Sequence, residues 1–503
     1  MQSGTPSKEP MNRDRPTPSS LAAASPSLTQ GLILLSVLIS GVPLYSAHAQ
    51  SIVTNGDVNP TVPSPPPSIW NIGGRLYVGQ TGTGTLSIAD GSIVNISNGY
   101  VGQAFGSYGV AAVSGTGSAW NAAGSFYIGH YGTGTLSVTE GGLVSSRDGN
   151  IGDNAQSIGT ATVAGAGSAW TNTRNAYVGT SGIGTVFIED GGTVSSSYGY
   201  VGLDTSGNGD VTVTGAGSSW KNSADITIGD GGTGVLRILN AGTVSSTSAY
   251  VGNFFGSNGS VMLSDAGSAW SNSDSLTLGN GGTGTLTLAE GAQVSVRSGL
   301  GSIVLGAFTG SSGTLSLGAA PNSPGDATGA GELDVLKLEL GDGAGTLNFN
   351  HTDNDYGLNA ALISTGAGTH ALNQLAGITR LNADNSSFNG TTTVTGGTLI
   401  IANQLGGSAS VTGGRLQVDG SFAGPVVIEQ TGTLAGVGTI SGNAAFANGG
   451  VLVGTQGQTL KFGHDLALTN ATQVNVALGG SATPALFNVA GALTLDGTLN
   501  VSS

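Results

Sequence analysis

Short runs in which apolar residues alternate with serine and threonine recur along most of the chain. Leu86 and Ile88 form one such pair and Val211 and Val213 another, each with a small polar residue between them. A period of two predicts strands that bury one face, and no stretch sustains the 3.6-residue period of an amphipathic helix. The pattern therefore predicts an all-β chain with essentially no helix outside the first 49 residues.

A short signature of an aromatic residue, an aliphatic residue and glycine recurs along the chain and divides it into parts of two alternating lengths. It recurs at alternating intervals of 23 and 27 residues. Intact copies begin at Tyr77, Tyr100, Tyr127, Tyr177, Tyr200 and Tyr250, and degenerate copies at Asn150, Thr227 and Thr277. A part of this length suits one coil of a β-helix, in which successive coils stack about 4.8 Å apart.

All five tryptophans fall on a 50-residue period. They are Trp70, Trp120, Trp170, Trp220 and Trp270, and the last four end a Gly-Ser-Ala/Ser-Trp motif. A fixed period of this size is typical of a solenoid, whose repeats bury their apolar faces against one another. We predict that the tryptophans are structural repeat markers two coils, or about 9.6 Å, apart. The pattern leaves the direction of the rings open, although the usual burial of large aromatics favours the interior.

Residues 1–49 have the order of a signal peptide. A basic stretch that ends at Arg15 precedes a 12-residue apolar run at 31–42, and Ala47-His48-Ala49 is a small-x-small cleavage motif. A run of 12 residues is too short to cross a bilayer as a helix. We therefore predict export, with no transmembrane span in the mature chain.

Four further segments follow the predicted signal peptide. Residues 50–69 are rich in proline and predict an extended linker. The 50-residue repeats form a β-solenoid over 70–318, and a Gly/Ala loop with two prolines occupies 319–331. Residues 332–503 return to short strands and turns with a different pattern and without tryptophan.

Composition excludes several kinds of partner and site. The formal net charge is −15, and only 8% of the residues are charged, so we expect no nucleic-acid partner and no docking to anionic lipid. There is no cysteine, which excludes a disulfide framework and thiolate metal sites. The 90 glycines fit the turns of a β-solenoid, because glycine readily adopts positive φ angles at corners. We expect no cofactor.

Acid–glycine pairs recur on the 50-residue period and have two interpretations. They begin at Asp90, Glu140, Asp190 and Glu290, and Asn240 interrupts the series. One interpretation is a carboxylate ladder for calcium or sugar, and the other is a turn at each coil corner. Carboxylates on every second coil would lie about 9–10 Å apart, too far to share an ion, so the sequence favours the turn.

Three other patterns suggest chemistry only weakly. The string Gly229-x-Gly231-x-x-Gly234, repeated from Gly279, matches the dinucleotide fingerprint but lacks the strand–helix context that the fingerprint requires. Asp353-Asn354-Asp355 resembles the start of a calcium loop, but Ser364 stands where the bidentate glutamate belongs. The histidines of the mature chain are too scattered for a zinc motif. They are His130, His351, His370 and His464. We therefore predict no catalytic, cofactor-binding or metal-binding residues.

Two parts of the chain resemble known repeats. The 50-residue units resemble the repeat shared by passengers of type V secretion systems (autotransporters) and some exosortase-anchored (PEP-CTERM) surface proteins. Residues 385–394, followed by Gly396-Gly397-Thr398-Leu399, resemble the autotransporter-associated β-strand repeat, and residues 436–499 resemble the end of pertactin-like passengers. The resemblance implies a right-handed parallel β-helix, in which residues 332–503 form a pertactin-like passenger segment. It also implies export to the periplasm, followed by display at the bacterial cell surface and outer membrane or by secretion.

The resemblance further implies an outer-membrane barrel as the translocating partner. A barrel needs about ten residues of alternating pattern per strand with aromatic girdles. The sequence contains no such pattern, so we expect the barrel to lie outside this chain. We expect an adhesin-like or structural surface protein, not an enzyme, that contacts host or self surface molecules. Two alternatives stay open: a β-helical enzyme acting on polysaccharides, with Asp and Arg clustered on one face, and an inert structural stalk.

Overall fold

The computed structural model describes residues 52–321, 327–447, 449–477 and 484–502. Every helix or strand assigned in them is a β-strand, and the strands of successive coils pair in parallel. The predicted all-β parallel β-solenoid is therefore confirmed, and its right-handed sense stays a prediction. The signal peptide predicted at 1–49 lies outside the described residues. Within the described ranges, no helix is long and apolar enough to span a membrane.

The first sheet takes one strand from each coil. Over the N-terminal coils its register advances by 25 residues, so that Thr83 pairs with Tyr108 and Tyr108 with Thr133. Each predicted 50-residue unit is thus two coils. The parallel strands of this sheet are Thr83–Ile88, Tyr108–Ser114, Thr133–Thr139, Ile158–Ala164, Ile183–Glu189, Asn208–Thr214, Thr233–Leu239, Asn258–Leu263, Thr283–Leu288, Ser312–Gly318, Ala344–Asn350, His370–Ala376, Thr391–Val394, Ser408–Val411, Val426–Glu429, Ala444–Ala447, Leu466–Ala467 and Leu493–Thr494.

The second sheet takes two short strands from most coils. One series carries the tryptophans: Ile69–Asn71, Ile93–Ile96, Ala119–Ala122, Leu143–Ser146, Ala169–Asn172, Thr193–Ser196, Ser219–Asn222, Gln293–Val296 and Glu332–Asp334. The other carries the tyrosine signature: Arg75–Val78, Asn98–Val101, Phe126–Ile128, Gly149–Ile151, Asn175–Val178, Tyr198–Val201, Ile226–Ile228, Ser302–Leu305, Lys337–Leu340 and Ala361–Ser364. Thr243–Val251 and Ala269–Leu278 each span both positions.

Two smaller sheets continue the stack in the C-terminal part. The larger contains Tyr356–Leu358, Ile378–Leu381, Thr398–Ile401, Arg415–Val418, Thr433–Gly436, Val451–Gly454, Gln473–Ala477 and Thr498–Ser502. The smaller contains Asp384–Asn385, Gln404–Leu405, Ser421–Phe422, Thr439–Ile440, Leu460–Phe462 and Phe487–Val489. The first sheet runs through both parts, because Ser312–Gly318 pairs with Ala344–Asn350. The boundaries placed around 319–331 stay predictions.

Alternate residues of the first sheet point into a single core. Leu86 pairs with Ala111 and Ala111 with Leu136, and all three are at most 2% exposed. The same arrangement reaches Leu317 and Phe349, which pair with each other and are fully buried. Because a side chain of each coil packs on its neighbours above and below, the stacking itself buries the apolar face.

Two antiparallel strands cover the first coil. Ile52–Gly56 pairs with Thr83–Ile88, and Val58–Asn59 pairs with Arg75–Val78. These two strands lie within residues 50–69, where the sequence predicts an extended linker. The segment folds back because Ile52 and Val58 bury their side chains against the core. The pairing satisfies the backbone N–H and C=O groups at strand edges that could otherwise pair with another chain.

Candidate binding surface

The tryptophans form a column inside the solenoid. Their exposed fractions are 6% for Trp70 and at most 1% for the other four. In the register, Trp120 pairs with Val144, Val144 with Trp170, and Trp170 with Val194. Large and small side chains therefore alternate coil by coil, which is why the tryptophans need a 50-residue period. These residues have no access to a ligand on the surface.

A buried polar network accompanies the column. Trp170 Nε1 donates to Ser146 Oγ over 3.2 Å, and Ser146 Oγ donates to Asn172 Oδ1 over 2.7 Å. Trp220 repeats the arrangement with Ser196 and Asn222. Since a buried polar group that lacks a partner is costly, the network fixes how these two indoles lie against the coil before them.

The serine of each Gly-Ser-Ala/Ser-Trp motif ties one corner to the preceding coil. Ser118, Ser168 and Ser218 are fully buried. Each Oγ accepts from the backbone N–H of Gly91, Gly141 and Gly191, respectively, over 3.0 Å. The sequence shows this serine recurring 27 residues after its partner glycine, but its role follows only from the way the coils stack. The motif is thus a structural clamp.

The acid–glycine pairs form these same corners. Asp90, Glu140, Asp190 and Glu290 have φ angles of 52° to 54°, and the glycines after them also have positive φ. The turn interpretation is therefore confirmed. Gly229, which begins the string that matches the dinucleotide fingerprint, is likewise a corner with φ of 69°, and it lies between two strands rather than before a helix.

Tyrosines of the signature form a second column on the outer side of the second sheet. The rings of Tyr77 and Tyr100 stack with centroids 5.0 Å apart, and those of Tyr100 and Tyr127 are 4.9 Å apart. Asn150 continues the column in register, and Tyr177 and Tyr200 stack again at 5.3 Å. Burial raises the pKa of the Tyr100 and Tyr200 phenols, so these groups stay neutral over ordinary pH values.

The acidic run at 353–355 and His130 have partners within the chain. Asp353 accepts from the backbone N–H of Ala330 over 3.0 Å, and the carboxylate of Asp355 lies 3.6 Å from Arg380. His130 Nδ1 lies 2.7 Å from Asp153 Oδ2 at a coil corner. In the ranges that the structure covers, no three His, Cys, Asp or Glu side chains come together as a metal site would require.

His351 is the one fully buried histidine of the described residues. Its Nε2 lies 2.8 Å from Thr379 Oγ1, and Nδ1 lies 3.8 Å from Asp353 Oδ2. Burial lowers the pKa of His351, and the Asp353 carboxylate opposes part of that effect. The folded chain therefore holds this imidazole neutral.

The lowered pKa predicts acid sensitivity. Below about pH 6.5, His351 of the unfolded chain takes up a proton that His351 of the folded chain does not bind. The free energy of unfolding therefore falls as the pH is lowered. The fall continues down to the pKa of the folded state, at no more than about 1.4 kcal/mol per pH unit. Urea unfolding at several pH values should show a weaker pH dependence for His351→Gln. The exposed His464 supplies the control, His464→Gln; equal pH dependence in both variants would contradict the prediction.

The outward residues of the first sheet differ in chemical character from coil to coil, while their inward neighbours are all aliphatic. One inward column contains only aliphatic residues: Leu86, Ala111, Leu136, Ala161, Val186, Val211, Leu236 and Val261. The outward column beside it varies: Thr85, Val110, Thr135, Thr160, Thr185, Asp210, Val235 and Ser260. The inward column thus stays aliphatic, whereas the outward column admits polar, charged and apolar side chains.

Comparison with known proteins gives partial matches. No protein-family model matches the chain. It is 30% identical to the adhesin BmaC autotransporter of Brucella suis biovar 1 (strain 1330) over 182 residues, which are 32% of this chain and 5% of that protein. It is 34% identical to an extracellular serine protease of Serratia marcescens over 121 residues, or 24% of this chain and 12% of that protein. The chain therefore matches only a small part of each relative's length.

Among solved structures, the chain is similar to a TibA fragment whose hyper-glycosylation is catalysed by TibC. That match covers 86% of this chain and 97% of the fragment, at 13% identity and a TM-score of 0.22. So low a score supports no conclusion about this chain.

Proposed function

We propose that this chain is the exported passenger of an autotransporter and acts as an adhesin-like protein at the bacterial cell surface or after secretion. The observation that carries the proposal is the burial of the five tryptophans and of the corner serines. Because the tryptophans and corner serines are inside, the solenoid presents a long surface whose residues vary coil by coil. Such a surface suits extended contact with host or self surface molecules.

Further observations support this proposal over an enzyme. The partial likeness to an autotransporter adhesin agrees with it. Basic residues, which a polysaccharide-acting site would gather with aspartates, instead form scattered ion pairs. Arg147 lies 2.9 Å from Asp148, Lys337 lies 2.7 Å from Glu339, and Arg380 pairs with Asp355. In this proposal an outer-membrane barrel outside this chain is the translocating partner, and residues 1–49 direct export.

Adhesion of coated beads tests the proposal. Fluorescent beads coated with the full exported chain should bind to epithelial cell monolayers or to one another above the level of albumin-coated beads. Excess soluble chain should compete with this binding, while soluble albumin should not. Binding at the albumin level would favour the inert stalk, and cleavage of acidic polysaccharides by the same protein would favour the enzyme; either result contradicts an adhesin.

A further inference from the structure

Loops at one corner of the solenoid alternate in length. Five residues, 203–207, separate Gly202 from the next strand, whereas three residues, 230–232, follow Gly229. The five-residue loop returns at 253–257. The two long loops therefore border a groove of about 600 Å³ above the short loop, and its lining includes Asp204, Asp230, Phe254 and Phe255. We call it the corner groove.

One wall of the corner groove is aromatic and open to water. Phe254 and Phe255 are 59% and 89% exposed. The loop that forms the opposite wall has Asp204 and Thr205 at the equivalent positions, so the coil geometry does not require aromatic residues. Adjacent exposed phenylalanines on a surface rich in Gly, Ser and Thr indicate a contact site, because water solvates them poorly.

The opposite wall and the floor carry negative charge. Asp204 is exposed and accepts from Ser181 Oγ over 2.6 Å, while Asp230 is 8% exposed and accepts from Asn253 Nδ2 over 2.7 Å. Burial raises the pKa of Asp230, and the neighbouring Asp204 raises it further. Among the described residues, no Lys, Arg or His lines the groove. An anion would therefore be repelled, whereas a cation would relieve the repulsion between the two carboxylates.

We propose that the corner groove binds an ammonium group on an apolar stem, as presented by lysine side chains of a partner protein. The carboxylates of Asp204 and Asp230 attract the ammonium group. The faces of Phe254 and Phe255 receive the methylene stem and contribute a cation–π interaction. The net charge of −15 steers cationic partners towards the chain. This inference rests on the proposed adhesin-like function and names the partner class for one part of its surface.

Peptide binding tests the groove directly. The probe is a fluorescein-labelled peptide of alternating lysine and glycine residues with blocked ends, titrated into the full exported chain at low salt. The matched peptide carries acetyl-lysine, which keeps the stem and removes the charge. We expect the lysine peptide alone to bind, and to bind more weakly as salt is added.

Variants locate the binding. Two variants should each weaken binding of the lysine peptide by about fivefold or more. One is the double variant Phe254→Ala with Phe255→Ala, and the other is Asp204→Asn. The matched controls are Phe105→Ala, an exposed phenylalanine on a distant long loop, and Asp355→Asn, an exposed carboxylate outside the groove; neither should change binding. Equal effects of groove and control variants would show attraction to net charge only and would overturn the proposal.

Two further results would also overturn it. One is no binding of the lysine peptide. The other is salt-independent binding of a neutral oligosaccharide that the phenylalanine variants abolish, since the groove would then be a sugar site. Running the bead assay with the same variants separates the two proposals. Bead adhesion without peptide binding would contradict only the proposal that the corner groove binds ammonium groups. Peptide binding without bead adhesion would contradict only the proposed adhesin-like function.

Discussion

Gly102→Ala should destabilise the solenoid far more than Gly106→Ala, although both glycines lie at one corner of the same coil. Their φ angles are 74° and 77°, so alanine is strained by about 1–2 kcal/mol at either position. A Cβ on Gly102 would also overlap the backbone carbonyl of Thr133 in the next coil, whereas a Cβ on Gly106 would meet no atom of the described residues within 4 Å. We expect the Gly102 variant to lose about 4 kcal/mol or more.

The corner cannot move aside to relieve this overlap. Gly102 N–H donates to Val78 O over 2.9 Å, and Gly102 O accepts from His130 N–H over 3.0 Å, so three coils hold the residue in place. Urea unfolding of the two variants, with hydrogen exchange of the individual coils, measures the difference. Equal losses for Gly102→Ala and Gly106→Ala would show that backbone strain alone determines the cost and that the corner yields to a methyl group.

The sequence predicts this corner well because its cause is local. Glycine after Tyr-Val is needed wherever the chain turns with positive φ, and that need repeats with every coil. The same holds for the alternation of Leu86 and Ile88 with polar residues, from which the strands follow. The 50-residue period predicts that two coils form a unit, since alternating Trp and Val side chains share one column.

Other features depend on which coils become neighbours, and the sequence does not show this. The clamp from Ser218 to Gly191 joins residues on adjacent coils and becomes visible only once the register is known. Strands within 50–69 escape prediction because prolines suggest a linker, whereas Ile52 and Val58 fold back onto the first coil. The corner groove depends on an alternation of loop lengths, so Phe254 and Phe255 alone gave no reason to place a site there.

Trp220→Ala should cost about 3–5 kcal/mol, because a fully buried indole leaves a cavity that the stacked coils cannot close. Trp220 is 1% exposed and lies in register between Val194 and Val244, whose small side chains cannot fill the space. The adjacent Lys221 is exposed, so Lys221→Ala is the matched control and should cost little. Hydrogen exchange should show lost protection centred on the coils that contain Val194 and Val244, since a solenoid depends on contacts between neighbours.

Substitution by phenylalanine separates packing from hydrogen bonding. Trp220 Nε1 donates to Ser196 Oγ over 3.3 Å, whereas Trp120 Nε1 has no partner among the described residues, because Ile96 takes the place of the serine. Both Phe variants lose similar volume, so Trp220→Phe should cost about 1 kcal/mol more than Trp120→Phe. An equal cost would show that the Ser196 contact adds nothing.

A loss for Trp220→Ala no larger than that for Lys221→Ala would contradict the structural role of the column, and the 50-residue period would then need another explanation.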